Sequence, residues 1–127
     1  MTSAALGRSD CLRLLAGRTW GRVVFTHRAL PAIRPITYTL VGDCLVLHAV
    51  SEGLERTLDG QIVAFEVDDG DPVAGTGWTV VVTGPARLGT RPADLARTGG
   101  RAPGDGEAMR TTDVTVTPGE IYGRRTD

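Results

Sequence analysis

The stretch GRVVFTHRALPAIRPITYTL, Gly21 to Leu40, decides the fold. Two β-rich runs, GRVVFT (Gly21 to Thr26) and LPAIRPITYTL (Leu30 to Leu40), flank HRA, a hairpin connection. Pro31 and Pro35 stand four residues apart, so both missing N–H groups fall on one side of the second strand. That side cannot carry a complete ladder, and proline is tolerated in a sheet at an edge or a bulge. Ala32, Arg34, Ile36 and Tyr38 share a face, which places a guanidinium in an otherwise apolar row. A buried arginine is costly unless an anion or several carbonyls satisfy it. Two readings follow. Either this is an edge strand with Arg34 paired to a carboxylate such as Glu66 or Asp68, or a flat polar ligand lies along the unpaired edge.

Outward from this hairpin the chain continues as strand. VGD separates the second run from CLVLHAV (Cys44 to Val50), and QIVAFEVDD, GWTVVVTGPARL (Gly77 to Leu88) and DVTVTPGEIYGRR follow, the last broken at Pro118-Gly119. Ahead of the hairpin, Ser9 before DCLRLLAG, Asp10 in the first turn and Gly17 at the stop predict a helix of two turns. RPADLART predicts a helical turn or two, with Pro92 near its start, and GGRAPGDGE a flexible loop. Six or seven short strands with a few small helices predict one domain over residues 1–127, mainly β, built as an antiparallel barrel or closed sheet. Val23-Val24-Phe25, Leu45-Val46-Leu47 and Val80-Val81-Val82 are apolar on both faces. One inner core needs a single apolar face. The second face wants a second copy of the barrel, as a homodimer, or a cover of small helices.

Composition narrows the chemistry. With a net charge of −1, nothing steers the molecule toward nucleic acid or an anionic membrane. All 14 basic residues are arginine, so Schiff-base and lysine general-base mechanisms are excluded. Cys11 and Cys44 read as free apolar thiols of a reducing compartment, and no run approaches a membrane span or a secretory h-region. The expectation is a cytoplasmic protein. Two histidines and two separated cysteines make no metal spacing, and EVDDGD (Glu66 to Asp71) reads as a solvated turn. His27 falls in the hairpin turn and reads as exposed. His48, near a strand end, reads as a structural histidine or as a ligand contact or proton donor. Trp20 reads as packing, Trp78 as an interface residue, and Arg124 as solvated or within reach of an anion. No convincing acid–base pair stands out, and the sequence holds no Gly-x-Ser-x-Gly, Walker loop or Gly-x-Gly-x-x-Gly.

CLRLLAG, GRVVFT, LPAIRPITY, LVLHAV, IVAFEVDD, TGWTVVVTGPAR and VTPGEIYGRR, in this order and spacing, resemble the pyridoxamine 5'-phosphate oxidase-like, flavin-binding split-barrel family, especially its short actinobacterial members. The resemblance covers nearly the whole chain. It implies a six-stranded antiparallel split β-barrel of Greek-key type, dimeric, with two cofactor sites at the subunit interface. It implies that Arg34, Pro35, Ile36, Thr37 and Tyr38 line the flavin ring, through backbone groups and a polar side chain. The end of LHAV, with His48, would run past the ribityl chain, and the loop after it would receive the phosphate. Trp78 and Thr79 would close the pocket from the neighbouring subunit.

In that phosphate loop the family carries a basic residue where this chain has Gly53. Ser51 remains as a hydroxyl donor, Gly53 and Leu54 as backbone donors and Arg56 as a cation one turn on. Glu52 and Glu55 oppose an anion: unit charges 4 Å apart interact by roughly 4 kcal/mol at a surface-like dielectric. The same carboxylates also stabilise a short helix start with no phosphate bound. The leading reading is a flavin-dependent oxidoreductase, with FMN or an 8-hydroxy-5-deazaflavin coenzyme carrying hydride to a small-molecule substrate and no catalytic side chain required. The alternative is a degenerate barrel without cofactor, acting as a binding or interaction module. Haem, with His48 as axial ligand, is a third.

Overall fold

The computed structural model describes residues 3–48, 53–71, 73–89 and 113–127. Eight strands and two helices run in the order β1 (Ser3–Leu6), α1 (Arg8–Ala16), β2 (Trp20–His27), β3 (Leu30–Val41), β4 (Cys44–Leu47), α2 (Leu54–Leu58), β5 (Ile62–Asp71), β6 (Thr76–Leu88), β7 (Val114–Val116) and β8 (Glu120–Thr126). The strand order is β1-β8-β6-β5-β2-β3-β4-β7, and β7 returns to pair with β6. A closed six-stranded antiparallel barrel results, with β8 and β1 extending the sheet beyond β6. The chain is therefore mainly β, a split barrel with two short helices among the described residues.

The β2–β3 hairpin closes through Arg28 and Ala29, both at positive φ (53° and 65°), between the paired His27 and Leu30. Two residues at positive φ match the right-handed strand twist. Hydrogen-bonded pairs alternate from His27–Leu30 onward, so Pro31 and Pro35 turn their nitrogens away from β2. β4 meets β3 only over Tyr38–Val41, which leaves the outer edge of β3 before Thr37 without a ladder partner among the described residues. The edge-strand reading of the two prolines is correct.

Inward positions form one core. Val23, Leu45, Leu47, Phe65, Val80, Val82, Ala86, Val114 and Val116 are fully buried, with Cys11 and Leu15 from α1 and Leu58 from α2 closing on them. β6 bridges the two parts of the sheet, pairing with β8 as far as Thr83 and with β7 from Ala86. Gly84 sits at that change of partner: a Cβ there would lie 1.9 Å from the Thr117 carbonyl oxygen. Only glycine lets the two backbones approach so closely.

Three expectations are corrected. α1 begins at Arg8, with Gly7 as its N-cap, so Ser9 lies inside the helix and caps nothing. The cause is β1, unforeseen in the small residues SAAL, which pairs with β8 and delivers the chain to Gly7. Gly17 does end the helix, its N–H donating to the Leu14 carbonyl at 3.2 Å. Trp20 is not packed in the core but 47% exposed. The strand expected over Cys44 to Val50 ends at Leu47 within the described residues. The helix and loop expected over residues 91–107 lie outside the described residues. No helix of the described residues is long and apolar enough to cross a membrane.

Candidate functional site

Pro35, Arg22, Glu66, Val81 and Tyr122 are successive partners across β3, β2, β5, β6 and β8. Paired residues share a face, and their neighbours Val23, Phe65 and Val80 point into the core, so this line runs across the outside of the sheet. One pleat further on the same face, Thr37 pairs with Trp20, and Asp68 with Thr79 and Arg124. A cavity of about 690 Å³ opens on this face, lined among others by Trp20, Arg22, Asp68, Trp78, Val81 and Tyr122. Its volume falls in the range of small-molecule sites, roughly 300–1,000 Å³.

Arg22 organises the groove. Its Nη1 reaches Glu66 Oε1 at 3.2 Å and Asp68 Oδ1 at 3.4 Å, and its guanidinium lies 5.4 Å from the centre of the Trp20 ring. Half-exposed ion pairs of this kind contribute at most about 1 kcal/mol each, so they orient the side chain more than they stabilise the fold. Trp20 and Tyr122, both about half exposed, offer flat apolar surface. Arg124 donates through Nε and Nη2 to Ser3 Oγ at 3.1 and 2.9 Å, which ties the β1 end of the groove together.

The residues expected at the site divide into four places. Pro35 and Thr37 are exposed on the same outer face, beside Arg22 and Trp20. Thr79 and Trp78 line the cavity, Trp78 packing against the rim of the core. Ile36 and Tyr38 point inward and are buried; the Tyr38 hydroxyl donates to the Leu15 carbonyl at 2.5 Å and its ring meets Phe65 edge-on at 5.0 Å. Their backbone is also engaged away from the open edge: by alternation Ile36 bonds with Gly21, and the Tyr38 N–H donates to the Thr19 carbonyl at 3.0 Å. Burial pushes the Tyr38 phenol up to about 12, with the Arg18 charge pulling weakly the other way.

Arg34 corrects an expectation. It shares the inward face, opposite Val23, yet it is exposed; among the described residues β4 pairs with β3 no earlier than Tyr38. Glu66 and Asp68 are held by Arg22, and Arg34 has no ion pair among the described residues.

Gly53 and Arg56 lie together and do not line the cavity. Gly53 caps α2 at φ 76°, and Arg56 Nη2 lies 3.3 Å from where a Gly53 side chain would begin, so the guanidinium folds back over the glycine. Glu55 does not face solvent at the helix start: it is 9% exposed, and its Oε2 has no hydrogen-bond partner among the described residues. Ser51 lies outside the described residues. His48 does not line the groove. Its Nε2 lies 2.9 Å from Thr39 Oγ1 and its Nδ1 3.2 Å from Asp113 Oδ1, so both ring nitrogens are engaged and neither is left for a haem iron. Among the described residues no cluster of three metal-ligating side chains occurs.

Sequence reasoning missed Trp20, Arg22 and Tyr122 as groove residues. Trp20-x-Arg22 and Tyr122-x-Arg124 carry a period of two, which marks a shared outward face. What joins them is register across β2, β5, β6 and β8, and local sequence does not encode that.

A closed six-stranded split barrel with an outward aromatic and arginine-lined groove defines the class of protein. The pyridoxamine 5'-phosphate oxidase family model matches residues 7–125, and the chain belongs to that family. It is 45% identical over 98 residues to the uncharacterized protein Rv0080 of Mycobacterium tuberculosis, covering 72% of this chain and 64% of that protein. Among solved structures, the FAD binding protein from Mycobacterium smegmatis is 28% identical with a TM-score of 0.75, covering 99% of this chain and 100% of that one. An FAD-binding protein from Mesorhizobium loti, 16% identical with a TM-score of 0.74 over all of both chains, shares the fold.

Proposed function

We propose that this chain is a flavin-dependent oxidoreductase that works as a cytoplasmic homodimer, the flavin carrying hydride to a small-molecule acceptor. The observation that carries the reading is the outer face of β3: an edge freed by Pro31 and Pro35, next to Thr37 and the groove residues Arg22 and Trp20. By alternation that edge offers the Ile33 N–H and the carbonyls of Pro31, Ile33 and Pro35. A planar ring with donors and acceptors along one side fits such an edge. When bound, the flavin supplies the redox chemistry; the chain's residues bind and orient it and exclude water.

Two copies are needed in this reading. β3 and β6 are separated by β2 and β5, roughly 14 Å at the usual strand spacing, so Trp78 and Thr79 reach the β3 edge of a second copy more readily than their own. FMN fits less well than the dinucleotide FAD or a deazaflavin coenzyme. FMN ends in a dianionic monoester, and here Arg56, over Gly53, is followed back along α2 by the buried carboxylate of Glu55. A phosphodiester carries less charge per phosphate, and the 28% identical relative is an FAD binding protein.

The test is the absorbance spectrum of the purified chain, chromatography of any released cofactor against FMN, FAD and deazaflavin standards, and mass in solution. A yellow dimer releasing one flavin is expected. A monomer that takes up no flavin or deazaflavin refutes the proposal. That outcome would favour the second reading, a cofactor-free interaction module, whose support is Gly53 and Glu55 where an anion site needs positive charge.

A further inference from the structure

Thr39, His48 and Asp113 come from three separate segments, β3, the residue after β4 and the residue before β7, and meet in one line. Thr39 Oγ1 lies 2.9 Å from His48 Nε2, and His48 Nδ1 lies 3.2 Å from Asp113 Oδ1. Exposure rises along the line: Asp113 is 3% exposed, His48 is half-buried and Thr39 is exposed. A buried carboxylate, an imidazole and a hydroxyl open to solvent are the parts of a proton-transfer chain.

The placement connects this line to the candidate site. Pro35, Thr37 and Thr39 follow one another on the outer face of β3, about 7 Å apart per pair of residues. The His48 backbone N–H donates to the Thr37 carbonyl at 3.0 Å, which fixes the imidazole beside that row. A ligand lying over Pro35 and Thr37 therefore ends near Thr39.

We propose that Thr39, His48 and Asp113 form a proton relay that delivers a proton to the substrate at Thr39 Oγ1. The inference rests on the reading given under Proposed function. Asp113 accepts the Nδ1 proton of His48 and so fixes the ring with Nε2 toward Thr39. With His48 neutral, Nε2 accepts the Thr39 hydroxyl. With His48 protonated, Nε2–H donates to Thr39 Oγ1, and the Thr39 hydrogen turns outward. An acceptor such as a quinone becomes an oxyanion once it holds a hydride, which reduced flavin supplies. Its oxygen then takes the Thr39 proton, Thr39 Oγ1 takes the proton from His48 Nε2, and His48 recovers one from water. No electron moves in this step, and one proton passes along two bonds. Thr39 touches the substrate; His48 acts through Thr39, and Asp113 is a positioning residue.

The experiment compares wild type, T39V, T39S, H48Q and D113N, each loaded with flavin, in the reoxidation of the reduced protein by menadione. Histidine tautomers are read in parallel by nitrogen NMR on flavin-free protein, with H27Q assigning His48. The expected result is His48 protonated at Nδ1 in wild type and a mixture of tautomers in D113N. T39V and H48Q should slow reoxidation about 10–100-fold at saturating menadione, with flavin affinity and half-saturation within about twofold of wild type. T39S should restore the rate, and the solvent deuterium effect of wild type should vanish in T39V. A merely structural clamp would change melting temperature, and in D113N the tautomer as well, but leave the isotope effect and the rate untouched. A T39V protein that binds flavin and reoxidises like wild type overturns the relay while the flavin reading stands. If no protein binds flavin, the flavin reading falls and the relay to a hydride acceptor falls with it, whereas a protonated Nε2 in wild type overturns the relay alone.

Discussion

Replacing Tyr38 by phenylalanine separates the core role of this residue from the ligand role that its place in RPITY implies. The substitution keeps the ring and its edge-on contact with Phe65 at 5.0 Å, so only the hydroxyl is lost. That hydroxyl donates to the Leu15 carbonyl at 2.5 Å, on the last turn of α1, in a fully buried setting. The Leu15 carbonyl keeps the Arg18 N–H at 3.3 Å as a donor, so loss of the hydroxyl bond costs about 0.5–1.5 kcal/mol. For a domain of this size about 1 kcal/mol corresponds to a fall in melting temperature of roughly 4 °C. The phenol adds a pH signature. Its folded value is pushed up to about 12 by burial, above the ordinary 10.0 of the unfolded chain. Stability from this group is therefore fully present below pH 10 and declines between pH 10 and 12, by up to roughly 2–3 kcal/mol. The variant lacks that decline, so the two stability curves should converge in alkali. Urea denaturation followed by tryptophan fluorescence from pH 7 to 11 measures both effects, and a flavin titration at pH 7 completes the assay. Unchanged stability with abolished flavin binding would refute the reasoning, because it would place the hydroxyl at the ligand and not on Leu15.

Gly84→Ala should destabilise the barrel by about 1–3 kcal/mol or prevent folding, since its Cβ would meet the Thr117 oxygen at 1.9 Å; a midpoint equal to wild type in urea would show that the crossing of β6 is looser than described. Gly53→Lys should lower stability by about 1–2 kcal/mol without tightening flavin binding, because position 53 holds φ 76° and the Arg56 guanidinium already covers it. Arg56→Ala should weaken flavin binding by about tenfold or more in fluorescence titration, and equal affinities would remove Arg56 from the anion site. Burial pushes both thiols above their usual range, reinforced by Asp10 beside Cys11 and Asp43 beside Cys44. At pH 8 the folded protein should react with a disulfide reagent more than about tenfold slower than the denatured chain, and rapid labelling of either cysteine would contradict that burial.

The sequence alone determined the alternation of apolar residues, the hairpin at His27 to Leu30 and the open edge at Pro31 and Pro35. Period two and the missing proline donors are local consequences of side-chain geometry, and the hairpin follows from the short break between two strand runs. The order of the segments placed the chain in its family. Tertiary structure decided the rest. Whether Arg34, Ile36 and Tyr38 face a ligand or the core depends on the strands that pair with β3. The groove of Trp20, Arg22 and Tyr122 and the line from Thr39 to Asp113 both join residues far apart in sequence. Register between strands brings them together, and register is fixed by closure of the whole barrel around one core rather than by any single strand.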